Sequence, residues 1–340
     1  MRYTLLHSVF SKDSWNSSSQ SLPSQERAAS SHRLLFFVIL NLTHFLIDLR
    51  GGYGRHFVAA VVLVVLWTSE TIVPMYVGRT RRVSHIATNL GLALINGVIA
   101  SGFGFAMLSV TEWAHARSFG LLNQTGIQGL GQWIGAILLF DCWQYWWHRF
   151  NHRVPFLWRF HAVHHSDAEM DASSGVRFHT IEMIFSFMVR LGVLPLLGLT
   201  MSQLLLYEAI SLPVILFHHS NLRISSGVDR CLRWLLVTPW MHYVHHSRWQ
   251  PETDSNYTSF LSIWDRLFGS FRLRKNPAEI SLGLNDFEEQ EWRPLWGLLL
   301  SPFKHTRTRA VIDQAQSGQD TDGMPINAKE IPRLKPHNFS

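Results

Sequence analysis

Asp141-Cys-Trp-Gln-Tyr-Trp-Trp-His148-Arg-Phe-Asn-His152 is the stretch on which the reading of this chain turns. It ends an apolar run, residues 127–147, in a cluster of Trp143, Trp146 and Trp147, the composition of a helix leaving the hydrocarbon core. Two histidines four positions apart follow at once. Residues three or four apart share a helix face, so Asp141, Tyr145, His148 and His152 line one stripe. An acid inside an apolar span is expected to face the bundle interior. Beside histidines it would accept the free ring N–H of a metal-bound imidazole; pairing with an arginine is the blander alternative.

Two further clusters repeat the pattern: His161-x-x-His164-His165 and His242-x-x-His245-His246. On a helix each cluster offers two or three imidazoles to one point in space, and imidazole suits iron, zinc, copper and nickel. A pH-sensing patch could also use many of the 19 histidines, but it would not need the repeated spacing. Isolated His7, His32, His85, His115 and His305 read as packing or surface residues. The eight clustered imidazoles exceed the four ligands of a tetrahedral zinc, so two ions are expected. His179 and His219 would complete a set of ten, about five per ion, with His218 competing for the place of His219.

Composition points to a bilayer. Hydrophobic residues make up 47% and charged residues only 16%, against about 25% charged in soluble domains. A span needs about 20 residues; 57–76, 86–110 and 127–147 qualify, and 183–199 with 203–217 suggest a hairpin turning at Gly198–Ser202. Residues 34–49 are a further span or a surface helix. The expected architecture is therefore an all-α integral-membrane helical bundle, with 228–275 as helices packed under the membrane and 294–303 in the interface. Residues 34–303 form the domain, between tails at 1–33 and 304–340. No signal-peptide pattern opens the chain. Arg79, Arg81 and Arg82 assign the loop after 57–76 to the cytoplasm, and alternating passes then put every histidine cluster on that face of a multi-pass protein. The net charge of +6 suits an anionic membrane surface; no basic run accompanies a nucleic-acid motif, so no nucleic-acid partner is expected. Cys142 and Cys231 form no disulfide framework.

Over residues 57–272 the chain resembles the sterol desaturase / fatty acid hydroxylase superfamily of membrane di-iron enzymes. The resemblance rests on the three clusters with Arg177-x-His179, His219-Ser220-Asn221, Thr238-Pro239, Asn256-Tyr257 and Trp264-Asp265-x-x-Phe268-Gly269. It implies a four-helix membrane core, a cytosolic cap and two iron ions between them. It also implies O2-dependent hydroxylation or desaturation of a sterol, fatty acyl or ether lipid. The ligands would be His148, His152, His161, His164, His165, His179, His219, His242, His245 and His246, supported by Asp141, Tyr145, Glu182, Asn221 and Asp265. Where many relatives have Asn-Tyr-Gly this chain has Thr258, so a different local backbone is expected. No His-Pro-Gly-Gly occurs, so electrons from NAD(P)H are expected through a separate ferredoxin or cytochrome. A membrane metal transporter or sensor is the rival of another class. Acyltransferase chemistry lacks its His-x4-Asp arrangement.

Overall fold

The computed structural model describes residues 53–79, 81–284 and 294–304. The expected tail at 1–33, the segment 34–49 and the expected tail at 304–340 apart from Lys304 lie outside them, as do His7, His32 and His305. Among the described residues the chain is all-helical, with isolated antiparallel bridge pairs in place of strands. In chain order the helices are α1 (Tyr53–Ile72), α2 (Arg82–Ala116), α3 (Leu121–Gln124), α4 (Leu130–Arg153), α5 (Pro155–His165), α6 (Thr180–Leu197), α7 (Met201–His219), α8 (Ser226–Leu232), α9 (Pro239–His245), α10 (Gln250–Thr253), α11 (Ile263–Leu267) and α12 (Leu295–Lys304).

Three described helical stretches are long and apolar enough to cross a membrane: residues 82–124, α6 and α7. Phe57–Ile72 of α1 is a shorter apolar stretch. The expected span 127–147 is realised as α4, but Gln132, Asp141 and Gln144 keep it less apolar than the other three. Side chains such as Phe105 (80% exposed) and Leu94 (72%) point away from the protein, an arrangement stable only where the surroundings are hydrocarbon. At 35 residues α2 is roughly 52 Å long, well over the roughly 30 Å core of a bilayer. Its polar first turns, with His85 and Asn89, therefore extend beyond the hydrocarbon.

Five long helices place one end each at a common level. Glu70, near the end of α1, accepts hydrogen bonds from the backbone N–H of Ala172 (3.2 Å) and Asn221 (2.8 Å). His85, in the first turn of α2, bridges Asp167 and Asp171. α4 and α7 end in His152 and His219, and α6 begins beside His161 through Glu182. Beneath this polar layer Met107, Leu122, Phe140, Phe187, Leu194, Leu204 and Tyr207 form the largest apolar cluster, tying α2, α3, α4, α6 and α7 together.

The α6–α7 hairpin turns as expected. Gly198 adopts a left-handed φ of 76°, and Thr200 caps α7 reciprocally with Gln203. Gly120 packs against this turn with φ 98°, where a Cβ would collide with the Pro195 carbonyl oxygen and the Gly198 backbone. The segment 228–275 differs from a run of cap helices: it holds four short ones joined by loops, because Pro239, Pro251 and Gly269 interrupt it. α12 packs on α5 and α2 through Leu298, Val163 and Leu92.

Gly120→Ala is expected to combine about 1–2 kcal/mol of left-handed strain with about 1–3 kcal/mol of overpacking. Gly126→Ala, also at positive φ but with open space around it, should show the strain alone. Thermal unfolding of the two variants in the same detergent checks this, and equal midpoints would contradict the close approach.

Candidate metal centre

The histidine clusters do not each serve one point, as their spacing suggested. They divide. Ligand atoms of His148, His152, His161, His165 and His245 lie within 4.8 Å of one another, and those of His164, His219, His242 and His246 form a second such group. The division follows from 3.6 residues per turn. Positions i and i+4 differ by about 40° around a helix, whereas i+3 and i+4 differ by about 100°. His161 and His165 of α5 thus point to the first group while His164 points to the second. α9 does the reverse: His242 and His246 go to the second group and His245 crosses to the first. α4 completes the first with His148 and His152, and the end of α7 completes the second with His219.

The tautomers of five rings follow from their partners. His148 Nδ1 meets the Tyr257 carbonyl at 2.6 Å, His245 Nδ1 that of Ser255 at 2.7 Å, His219 Nδ1 that of Ile215 at 2.7 Å, and His164 Nδ1 that of Arg177 at 3.2 Å. His161 Nδ1 meets Glu182 Oε1 at 2.8 Å. Carbonyl and carboxylate oxygens only accept, so each Nδ1 donates its proton and each Nε2 presents a bare lone pair. Those lone pairs face one another. His148 Nε2 lies 3.1 Å from both His161 Nε2 and His245 Nε2, and His219 Nε2 lies 3.2 Å from His164 Nε2. Neutral rings so arranged cannot hydrogen-bond to each other; a cation between them removes the conflict.

Five Nε2–Nε2 pairs fall at 2.9–3.2 Å, close enough for both nitrogens of a pair to bind one ion. His152 and His165 are buried with all four ring nitrogens unpartnered in hydrogen bonding, and His242 and His246 have an unpartnered Nδ1. Burial first, then neighbouring imidazoles, hold His164, His165, His242 and His246 well below the usual histidine range, and burial brings His245 down to about 3. These rings stay neutral near pH 7, the form a metal requires. Two imidazole-bound transition-metal ions fit.

Residues 133–270 match the family model described as fatty acid hydroxylase. An ornithine lipid hydroxylase from Rhizobium tropici is 34% identical over 139 residues, 40% of each chain. Human alkylglycerol monooxygenase is 31% identical over 163 residues, 46% of this chain and 34% of that one. Human cholesterol 25-hydroxylase is 28% identical over 151 residues, 42% of this chain and 52% of that one. Over residues 133–270 the chain is similar to the sterol desaturase / fatty acid hydroxylase superfamily. It spans less than half the length of the first two relatives, and no solved structure is significantly similar to it.

Nine of the ten histidines that the superfamily resemblance singled out lie in the two groups; His179 does not. Its Nδ1 accepts from Ile181 N, capping α6, and its Nε2 meets the Leu299 carbonyl at 3.2 Å, so both nitrogens are engaged elsewhere. Of the competing pair, His219 joins a group, while His218 stacks beside it with its ring centroid 4.0 Å from that of His242. Asp141 is also displaced from its expected task. Seven residues before His148, it accepts instead from the Tyr207 hydroxyl (2.7 Å), Trp264 Nε1 (2.8 Å) and Leu261 N (3.1 Å). The Asn221 side chain pairs instead with both backbone groups of Tyr76. Tyr145 bonds Ser270 and Arg149.

Asp265 acts at one remove. It accepts from the backbone N–H of Tyr257 (2.8 Å) and Thr258 (3.2 Å), fixing the peptide whose carbonyl orients His148. Where many family members carry glycine, Thr258 needs no special backbone; the left-handed residue is Asn256, φ 49°, whose side chain bonds Met241 O and the backbone of Arg272. The carbonyl acceptors at Tyr257, Ser255, Arg177 and Ile215 had no sequence signal, since every residue has a carbonyl. His85 is no packing residue either: its ring joins Asp167 (2.9 Å) to Asp171 (3.0 Å).

Glu182→Ala removes the acceptor that fixes the His161 tautomer, and loss of such a partner typically costs about 10–100-fold in metal affinity. Elemental analysis after dialysis against buffered free metal should show the five-histidine group emptying first, with Glu182→Gln partly restoring it. Unchanged occupancy at every metal concentration would refute the role given to Glu182.

Proposed function

We propose that the chain is a membrane-bound di-iron oxidoreductase that uses O2 to hydroxylate a C–H bond of a lipid. The observation that carries this reading is the pair of all-nitrogen histidine groups, eight of their nine rings buried, at one end of apolar helices. The named relatives act on ornithine lipid, alkylglycerol and cholesterol; their common chemistry is insertion of oxygen into a lipid. His148, His152, His161, His165 and His245 would hold one ion, and His164, His219, His242 and His246 the other. Iron there would supply reductive activation of O2 and an oxidant able to take hydrogen from an unactivated carbon.

The chain's own side chains do the rest. Glu182 and the carbonyls of Tyr257, Ser255, Arg177 and Ile215 keep each Nδ1 protonated and each Nε2 aimed inward. The groups sit where the polar layer meets the apolar helices, so a lipid tail can approach from the bilayer while the buried rings keep bulk water away. In the overall balance one oxygen atom of O2 enters the C–H bond. The other leaves as water, formed with two electrons that NAD(P)H delivers through a separate ferredoxin or cytochrome and with two protons, one released by NAD(P)H and one from the medium. Arg79, Arg81 and Arg82, beside the metal-side end of α1, support a cytoplasmic location for this end in a multi-pass topology. Residues 34–303 would act as one domain.

Wild type and His164→Ala, expressed in a lipid-producing host under labelled O2, test the reading by mass spectrometry of lipid extracts. A wild-type-specific lipid heavier by one labelled oxygen is expected, absent from His164→Ala. A product lighter by two hydrogens and free of label would replace hydroxylation with desaturation. Purified protein that holds metal tightly yet consumes no O2 with reductant and lipid extract would overturn the enzyme reading.

A further inference from the structure

The cap carries an apolar face that the metal centre does not use. Val228 (50% exposed), Trp234 (73%) and Leu235 (59%) come from α8 and the turn after it; Ile263 (37%) and Leu267 (68%) come from α11. Though about 30 residues apart in sequence, the two segments are one unit. Leu236 and Leu261 form an antiparallel bridge. Val237 N donates to Phe260 O (3.0 Å), Ser262 N to Leu235 O (3.0 Å), and the Ser262 hydroxyl and Arg266 Nη2 both donate to Arg233 O at 2.6 Å.

We infer that residues 226–237 and 260–268 are a bilayer-immersed rim of the cap, whose apolar face is covered by lipid hydrocarbon. The depth of the unit argues for lipid. Leu261 N and Trp264 Nε1 both donate to Asp141 Oδ2, and Asp141 lies in the apolar half of α4, roughly 10 Å to the membrane side of His148. The rim therefore flanks the apolar half of α4, which packs through Phe140 against Tyr207 of the membrane-length helix α7, and continues the apolar surface of the bundle. Its chemistry agrees. Trp234 is of the kind that settles at interfaces, and exposed Arg230 lies on α8 with Val228, where anionic headgroups attract cations. The buried Asp141 carboxylate is then explained: it seats the rim against the span.

This inference is independent of the catalytic reading and is tested by spin-label depth measurements on the full chain in nanodiscs of phosphatidylcholine and phosphatidylglycerol. The protein has two cysteines, so Cys142→Ser with Cys231→Ser gives a clean background. Single labels are placed by Trp234→Cys and Leu267→Cys, with Phe105→Cys as the hydrocarbon reference and Lys275→Cys, an exposed polar position, as the aqueous one. Val228→Cys repeats the reading on the same face should either rim variant fail to fold. The rim labels should relax with O2 in preference to a water-soluble nickel chelate, with an accessibility ratio at least several-fold above that of Lys275→Cys and near that of Phe105→Cys. A ratio equal to that of Lys275→Cys would overturn the inference. So would shielding from both reagents, which would mean that protein covers the face, either a second copy or residues 34–49.

Discussion

Lone pairs of neutral imidazoles facing one another at about 3 Å are the constraint around which this molecule is organised. In an unfolded chain these rings would turn their nitrogens to water. In the fold they cannot, because five of them are locked through Nδ1 to carbonyls or to Glu182. Burying polar nitrogens without partners is costly, so the arrangement is stable only around positive charge. A cation held between the rings would couple metal binding to folding.

Helix geometry makes the two groups inseparable. Because α5 and α9 each send i and i+4 to one group and i+3 to the other, neither group can be assembled without both helices. The crossing also sets the relative rotation of α5 and α9, since a turn of either would withdraw ligands from both groups together. His164 and His245 are the crossing residues, and each is anchored by a backbone carbonyl from a neighbouring loop. The loops at 176–179 and 254–258 therefore act as parts of the site, which explains why buried acids such as Asp265 are spent on holding backbone.

Around this centre the membrane helices supply position. Their apolar stretches carry the bundle, while at their polar ends Glu70, His85 and Asn89 hydrogen-bond to the loops beside the ligands and Glu182 to the ring of His161 itself. Asp171 and Asp167 are shared between His85 and the 172–176 turn, linking the first turn of α2 to the chain that follows α5. Asp141 and Tyr207 connect α4 to α7 in the same way, deeper in the bundle.

Much of this was legible in the residues. Long apolar runs determine membrane helices because hydrocarbon offers no hydrogen bonds to any other backbone, and histidines at helical spacing determine that imidazoles cluster, because 3.6 residues per turn is a property of the chain itself. Glu182, an acid at the start of a span, was a readable partner for a ring. Tertiary structure alone decided which ion each ring would serve, since that depends on how α5 and α9 face each other. It also decided that His179 caps a helix, that Asp141 seats a distant loop, and that His85 joins two acids. These outcomes rest on contacts between segments as much as 123 residues apart and on backbone carbonyls that every residue possesses, and neither leaves a mark in the order of side chains.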